Sequence, residues 1–593
     1  ALLTHLRTRA LLCHPVPLPG HALAEGADGT APSPAGALPT AEVGRHAGVA
    51  RHGPGEAGRA GQSSTQQQQQ AGWEGRQRES ASDLSSLRAS LAASRSPHDC
   101  WSRTEMHAYM PPAHSPSPSA AFTHRLRRYQ AMHRRCAARL DFKRGLPPAH
   151  ALRAEVAAGS AEGQAPCQYL FYQDSIAGVG NRILALVSAF TLALLTNRTL
   201  LLSAASFPAT AFCQPFNGSH WTIPSDHFQA IVKDVGKDAK PNDFPPSNRS
   251  LHLDYPSGFW WNVVCDEEQQ RMARTPVLLF TSYFYTLPAL YFRPSFHAAL
   301  DSWFPDRRPF THVARWLLHP SNFLWLAISQ AFSAYLAPHS PRISLQIRPV
   351  EEAEEDIMPR ILTCVHSIAR LLPAVGLNDY EDGDAMFHAS TNATTTTATT
   401  TATTTASTTG EGPPAAGRSA AVFVASLSAR FGQQLRLRFV NNPSADGSLI
   451  AVHWVHAEES QQFDWPHFGT AVIDIWLLAL CDSFLVTEGS TLGMVAAGLA
   501  SATPHIMNIM LDTSTNHDWR SNGRPECLLG GAEPCLKTHH GHAQCSTSSS
   551  SHLGPPLALC HGTGRGFTLL PPESPPLLFE AWLQSVGEAS AVT

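Results

Sequence analysis

Residues 169–202, YLFYQDSIAGVGNRILALVSAFTLALLTNRTLLL, constrain the fold more than any other stretch. They read as strand, glycine loop, helix and strand. Tyr169, Leu170, Phe171 and Tyr172 are aromatic or aliphatic, as a buried strand requires. Gly178 and Gly180 permit a close backbone approach to a ligand. After Asn181 and Arg182 the apolar period lengthens, and Ile183, Leu186, Val187, Phe190 and Leu194 share one helical face. Ala185, Ser188, Ala189 and Ala193 are small enough for close packing. Thr196 and Asn197 end the helix. Asn197 opens an Asn-Arg-Thr sequon, but it is expected to cap the helix rather than carry a glycan. Glycosylation is expected instead at Asn248 or Asn392. A helix that starts directly after a glycine loop presents free N–H groups and a positive dipole end, which suits a phosphate. The dinucleotide fingerprint would need a third glycine where Ile183 stands, which argues against a nicotinamide or flavin site.

The chain has 593 residues, room for several domains. Its formal net charge of −4 makes no case for nucleic acid. The apolar run 183–195 is too short to span a bilayer and reads as a core helix. Residues 1–160 are rich in Ala, Gly, Pro and Ser, with a Gln66–Gln70 homopolymer. Such composition offers too little apolar surface to offset chain entropy. Within it, the basic segment 124–135 reads as a solvated charged helix. A Thr/Ala tract at 394–409 marks an insertion, 388–418, expected to be a surface loop. Asp382 and Asp384 flank Gly383 in the letters of a metal-binding D-x-D, but no strand precedes them. They read as a solvated turn, and no metal site is expected. Cys527, Cys535, Cys545 and Cys560 are spaced too widely for zinc and read as disulfide partners.

Two further stretches carry chemistry. In PRISLQIRPV, residues 341–350, Ile343, Leu345 and Ile347 alternate with Ser344, Gln346 and Arg348. Arg348 falls at the carboxyl end of this strand, the end that faces the ligand crevice in an open α/β sheet. Its guanidinium suits a diphosphate. AVFVAS and LIAVHWVH read as strands, and LRLRFV as a strand or its edge. In AVIDIWLLALCDSFLVTEGSTLGM, residues 471–494, Ile473, Trp476, Leu477 and Leu480 form a helical stripe. A short strand at 483–486 and the loop Gly489-Ser490-Thr491 lead into a second helix, 492–499. Hydroxyls and N–H groups at that helix start suit the second side of a diphosphate.

GVGNRI with ALLTNRTLLL, then PRISLQIRPV, then the 471–494 stretch, then Glu533-Pro534-Cys535 resemble, in that order, the plant-type xyloglucan and arabinogalactan α-1,2-fucosyltransferase family. The resemblance covers roughly 168–545. It implies an α/β fold of the GT-B-like kind, two Rossmann-like domains facing a cleft, preceded by a long disordered N-terminal region. The implied divisions are a stem-like region 1–160, an N-terminal domain 161–338, a donor-binding domain 339–560 and a tail 561–593. The implied activity is inverting transfer of L-fucose from GDP-fucose to a sugar hydroxyl, through an α-1,2 linkage on galactose of a cell-wall or glycoprotein glycan. No metal and no other cofactor is implied; the partners are GDP-fucose and a glycan or polysaccharide acceptor. The family's setting is the Golgi membrane with a lumenal catalytic domain, held by an anchor not visible in this sequence. The chain starts at Ala1, as a fragment, a processed chain or a mis-started gene model does.

The donor site implied by the family words comprises Gly178, Gly180, Asn181, Arg182, Gln346, Arg348, Asp474, Ser490, Thr491 and Gly493. Arg348 is the expected catalytic residue, countering charge on the departing diphosphate. No residue stands out as the general base; Asp174 and Glu488 are candidates by position only. Asp474 replaces the family's Glu, and loop 487–493 is one residue shorter, lacks the family's Trp and carries Glu488. That departure keeps two alternatives open: an inactive glycan- or nucleotide-sugar-binding relative, and a transferase for another nucleotide sugar.

Overall fold

The computed structural model describes residues 99–111, 116–140, 166–238, 250–254, 272–273, 275–348, 357–369, 419–441, 449–455, 465–507, 527–537, 557–560 and 566–569, with the single positions 263 and 572. Two helices come first, α1 (Trp101–Tyr109) and α2 (Ala120–Ala137). The first half then runs β1 (Gln168–Gln173), α3 (Val179–Thr196), β2 (Arg198–Ser203), α4 (Phe207–Ala211), β3 (Thr222–Ile223), α5 (Ser225–Asp238), β4 (Ser250–Asp254) and β5 (Val277–Thr281). A 3-10 turn (Leu287–Phe292) and helices α6 (Pro294–Trp303), α7 (Pro309–Leu317) and α8 (Asn322–Tyr335) lead away from it.

The second half comprises β6 (Arg342–Ile347), α9 (Met358–Ala369), β7 (Ser419–Ser426), α10 (Ala429–Asn441), β8 (Leu449–His453), α11 (Trp465–Ala479), β9 (Ser483–Thr487), α12 (Thr491–Ala500), β10 (His505–Met507) and β11 (Cys527–Leu529). β12 (Leu536–Lys537), β13 (Leu557–Leu559) and β14 (Gly566–Leu569) complete the described elements.

The first sheet has the order β3-β2-β1-β5-β4, and every pairing in it is parallel. The second has the order β11-β10-β9-β6-β7-β8, parallel except for β11 at its edge. Parallel strands covered on both faces read as continuous apolar runs, which is what VLLFT, AVFVAS and SFLV are. This is the expected two-sheet α/β arrangement of a GT-B-like fold. α3 is buried from Ile183 to Leu194 on every side, as a helix apolar all round must be. Over Val179–Thr196 it is also long and apolar enough to cross a membrane, yet here it packs among the core side chains of the first half. It ends as expected at Asn197, in the left-handed region at φ 55° and exposed. The Asn197 side chain accepts a hydrogen bond from Arg125 at 2.7 Å.

Three expectations change. LRLRFV is not a strand; it lies within the helix α10. The alternation of leucine and arginine imitates a strand, but Phe431, Leu435 and Phe439 recur every four residues and are the buried hydrophobic side chains, whereas Leu437 is 61 % exposed. The basic segment 124–135 is not a solvated helix. Phe122, Leu126, Tyr129, His133 and Cys136 of α2 recur at intervals of four and three and are buried. The Tyr129 hydroxyl donates to Arg198 O at 2.8 Å and accepts from Leu200 N at 3.0 Å, fixing α2 to β2. So the folded unit begins well before residue 160. Disulfides Cys100–Cys213 and Cys136–Cys167 tie this region to the first half. Finally, part of the expected tail is ordered: β14 pairs antiparallel with both β12 and β13.

Of the C-terminal cysteines, Cys527 bonds to Cys364 and Cys535 to Cys560, while Cys545 lies outside the described residues. The Thr-rich insertion, Asp382, Asp384, Asn248 and Asn392 also lie outside them.

If α2 belongs to the core, truncating its anchor is costly. Phe122 is 1 % exposed and its ring lies 4.8 Å from that of Phe304. Phe122→Ala is expected to lower unfolding stability by about 3 kcal/mol in urea titrations. A change under about 0.5 kcal/mol, the scale of a surface substitution, would return α2 to the solvated class.

Candidate functional site

The carboxyl ends of both sheets open on one cavity of about 360 Å³. The first half contributes the glycine loop after β1 and the start of α3, residues 178–181. The second contributes the ends of β6 and β7, one face of α11, and the loop that starts α12. Gly178, Gly180, Asn181, Gln346, Arg348, Asp474, Ser490 and Thr491 all line it. Arg182 and Gly493, expected at the same site, stand behind its wall.

The halves meet at Gly180. A Cβ there would lie 2.7 Å from the Thr491 carbonyl carbon and 2.8 Å from Leu492 N, so the N-termini of α3 and α12 touch through backbone. Thr491 Oγ1 donates to Asn181 Oδ1 at 2.6 Å, and Asn181 Nδ2 donates to Tyr283 O at 2.9 Å. Both helices therefore aim free N–H groups at the cavity, and their dipoles add there. Gly489, at φ 69°, makes the turn from β9 into α12. Ser490, 1 % exposed, is the N-cap, yet its hydroxyl makes no capping bond. Gly493 is small for a reason of packing: a Cβ would meet the Val486 side chain at 2.8 Å and Gln346 Oε1 at 3.1 Å.

Thr487 holds the end of β6. Its hydroxyl donates to Gln346 O at 2.9 Å and accepts from Arg348 N at 2.9 Å, and its own N–H donates to Gln346 Oε1 at 3.3 Å. With its backbone pinned this way, the exposed Arg348 side chain projects from the strand end into the cavity wall. Arg182 has a different task. Its guanidinium lies 4.4 Å from the Phe468 ring and 5.6 Å from the Phe207 ring. It pairs with Asp174 Oδ2 at 3.4 Å and donates to Ser175 O at 2.9 Å. It thus joins the glycine loop to α11 and backs the Phe468 ring, which faces the cavity.

Asp174 accepts from Phe207 N at 3.1 Å, and burial pushes its carboxyl up, against the pull of Arg182 and that N–H. Neither Asp174 nor Glu488 lines the cavity. Asp474 does, at 5 % exposure; burial pushes its carboxyl up to about 8, and its Oδ1 has no hydrogen-bond partner among the described residues.

Sequence reasoning missed Ser426, His467, Phe468 and Ala471. Ser426 could have been found, since β7 obeys the same carboxyl-end rule as β6. His467, Ala471 and Asp474 recur every four and three residues on one helical face, so Asp474 was a pointer to its neighbours.

With this geometry in hand, similarities to known proteins have a structural meaning. The sequence profile of the xyloglucan fucosyltransferase family matches residues 61–243 and 228–543. A probable fucosyltransferase 8 of Arabidopsis thaliana is 29 % identical over 476 residues, 75 % of this chain and 83 % of the relative. A galactoside 2-alpha-L-fucosyltransferase of the same plant is 28 % identical over 438 residues, 70 % of this chain and 71 % of the relative. Among solved structures, a mutant of Arabidopsis thaliana FUT1 in complex with GDP superposes with a TM-score of 0.60 at 25 % identity, covering 79 % of this chain and 96 % of that one.

The Gly180–Thr491 contact yields a direct test. Gly180→Ala forces backbone apart at the meeting point of the two halves, an overpacking of about 1–3 kcal/mol. A fall in melting temperature is expected, together with weakened protection of α12 amides in hydrogen exchange. An unchanged melting temperature would show that the halves do not touch there.

Proposed function

The chain belongs to the xyloglucan fucosyltransferase family, and we propose that it transfers L-fucose from GDP-fucose to a sugar hydroxyl of a glycan, by inversion and without a metal ion. The observation that carries this reading is the convergence of two helix N-termini and Arg348 on one cavity. In a displacement at the fucosyl carbon, the bond to the diphosphate oxygen breaks and negative charge grows on GDP. Fixed donors already aimed at that charge stabilise it without reorganisation. Arg348 offers a planar fork of N–H groups, and the first turns of α3 and α12 offer backbone N–H groups. The Ser490 hydroxyl, free of capping duty, is a further donor. Phe468 supplies an apolar surface beside them.

The acceptor hydroxyl attacks from the face opposite the diphosphate and loses its proton as the new glycosidic bond forms. Gal-linked α-1,2 chemistry is proposed from the galactoside 2-alpha-L-fucosyltransferase relative. The shortened loop argues little for an inactive relative, because Glu488 is not among the residues that line the cavity while Ser490 and Thr491 are. A Golgi setting, with the catalytic part in the lumen, is supported by four disulfides among the described residues. Such bonds persist in oxidising compartments.

Two experiments test the proposal. Arg348→Ala, if folded, is expected to lower fucosyl transfer by about two orders of magnitude. Arg348→Lys should not restore it, because a point charge cannot replace the fork. Near-normal turnover in Arg348→Ala would remove Arg348 from the mechanism. Transfer is also expected to survive excess EDTA, since protein donors meet the diphosphate charge. Loss on chelation, restored by Mn²⁺ or Mg²⁺, would overturn metal independence.

A further inference from the structure

Among the described residues that line the cavity, Asp474 is the one acid. It sits on α11, 5 % exposed, with Oδ1 fully buried and unpartnered. An ionised carboxylate in that position would face both its own desolvation cost and the charge of an incoming diphosphate. Among the described residues, the titratable side chains that share the wall with it are His467 of α11 itself and Arg348, just past the end of β6. α3 brings Asn181, β7 brings Ser426, and α12 with its loop brings Ser490 and Thr491, none of them charged. α4 and α8, which also pack on α11, bring no side chain to the lining. Arg182 is turned away, committed to Asp174 and Ser175. The described residues thus give Asp474 no ion-pair partner within 4 Å.

We propose that Asp474 works as a neutral acid, its carboxyl O–H donating a hydrogen bond to an acceptor atom of the bound nucleotide. This rests on the donor reading above and deepens it. A carboxylic acid can donate its O–H to the ligand, while its buried Oδ1, as a neutral carbonyl oxygen, costs less to leave unpaired than a carboxylate oxygen would. A neighbouring anion stabilises the neutral form further, so binding and protonation reinforce each other. The replacement of the family's longer acid by Asp then sets how far into the cavity the donor reaches.

The sign follows from the raised carboxyl. Its value moves from 3.8 to about 8 on folding, so the stability it contributes is full below 3.8 and is lost as pH rises through 8. Nucleotide affinity carried by the neutral form falls as pH rises through about 8, above most of that window.

Isothermal titration of GDP into the full chain reads this directly. From about pH 7 to about pH 9, wild-type affinity is expected to fall about tenfold, and Asp474→Asn to abolish most of that slope. In wild type near pH 8.5, binding should take up a proton, seen by repeating the titration in buffers of different ionisation enthalpy. The melting temperature of ligand-free Asp474→Asn should gain on wild type as pH rises toward about 8. Binding that is flat with pH and without proton uptake overturns the inference while leaving the donor reading intact. Affinity that rises with pH also overturns it, because a carboxylate would then be accepting from the base. Failure of wild type to bind GDP at any pH strikes down the donor reading itself.

Discussion

Everything at this site depends on the backbone contact between Gly180 and Thr491. Two helices can point their N-termini at one volume only if nothing stands between them, and a side chain at residue 180 would stand there. The contact is what makes one cavity out of two sheet ends. The Asn181–Thr491 hydrogen bond then sets the angle, and Tyr283 O sets Asn181. The anion-binding power of each helix start is modest by itself. The proposed binding of a leaving diphosphate rests on their convergence with Arg348.

The rest of the molecule keeps that contact in place through buried polar groups. Glu533 is the clearest case. Its carboxylate oxygens accept from Phe310 N at 3.1 and 3.3 Å, capping α7, and it bonds the Tyr285 hydroxyl. Burial pushes the Glu533 carboxyl well up against those bonds. α7 in turn packs on α12: Gly498 leaves room for the Phe310 ring, and Thr311 Oγ1 donates to Gly498 O at 2.7 Å. A residue far along the chain therefore steadies the helix whose N-terminus forms the site. Arg182 does the same from the first half, joining the glycine loop to Phe468.

Local patterns were readable wherever one period prevailed. The strand–loop–helix–strand of 169–202 and the alternation in PRISLQIRPV needed only the spacing of apolar residues. Reading failed where two periods coexist. In α10 the leucine–arginine alternation of 435–438 hid the four-residue recurrence of Phe431, Leu435 and Phe439. In α2 the arginines dominated the composition, while the buried stripe from Phe122 to Cys136 ran between them. Composition averages over faces, and burial does not.

By itself the sequence determined the two α/β units, the strand ends that bear Gln346 and Arg348, and the helix start that bears Ser490 and Thr491. Each follows from local periodicity and from the rule that open sheets bind ligands at their carboxyl ends. Only the tertiary structure decided which of those residues share a wall. It turned Arg182 to Phe468 and Asp174, left Asp474 in the cavity with its Oδ1 unpartnered among the described residues, and brought His467 and Phe468 into the lining. Those outcomes depend on how α11 packs against the glycine loop, a contact between segments almost three hundred residues apart. No local period encodes that packing, because it is set by side-chain shape across the two halves.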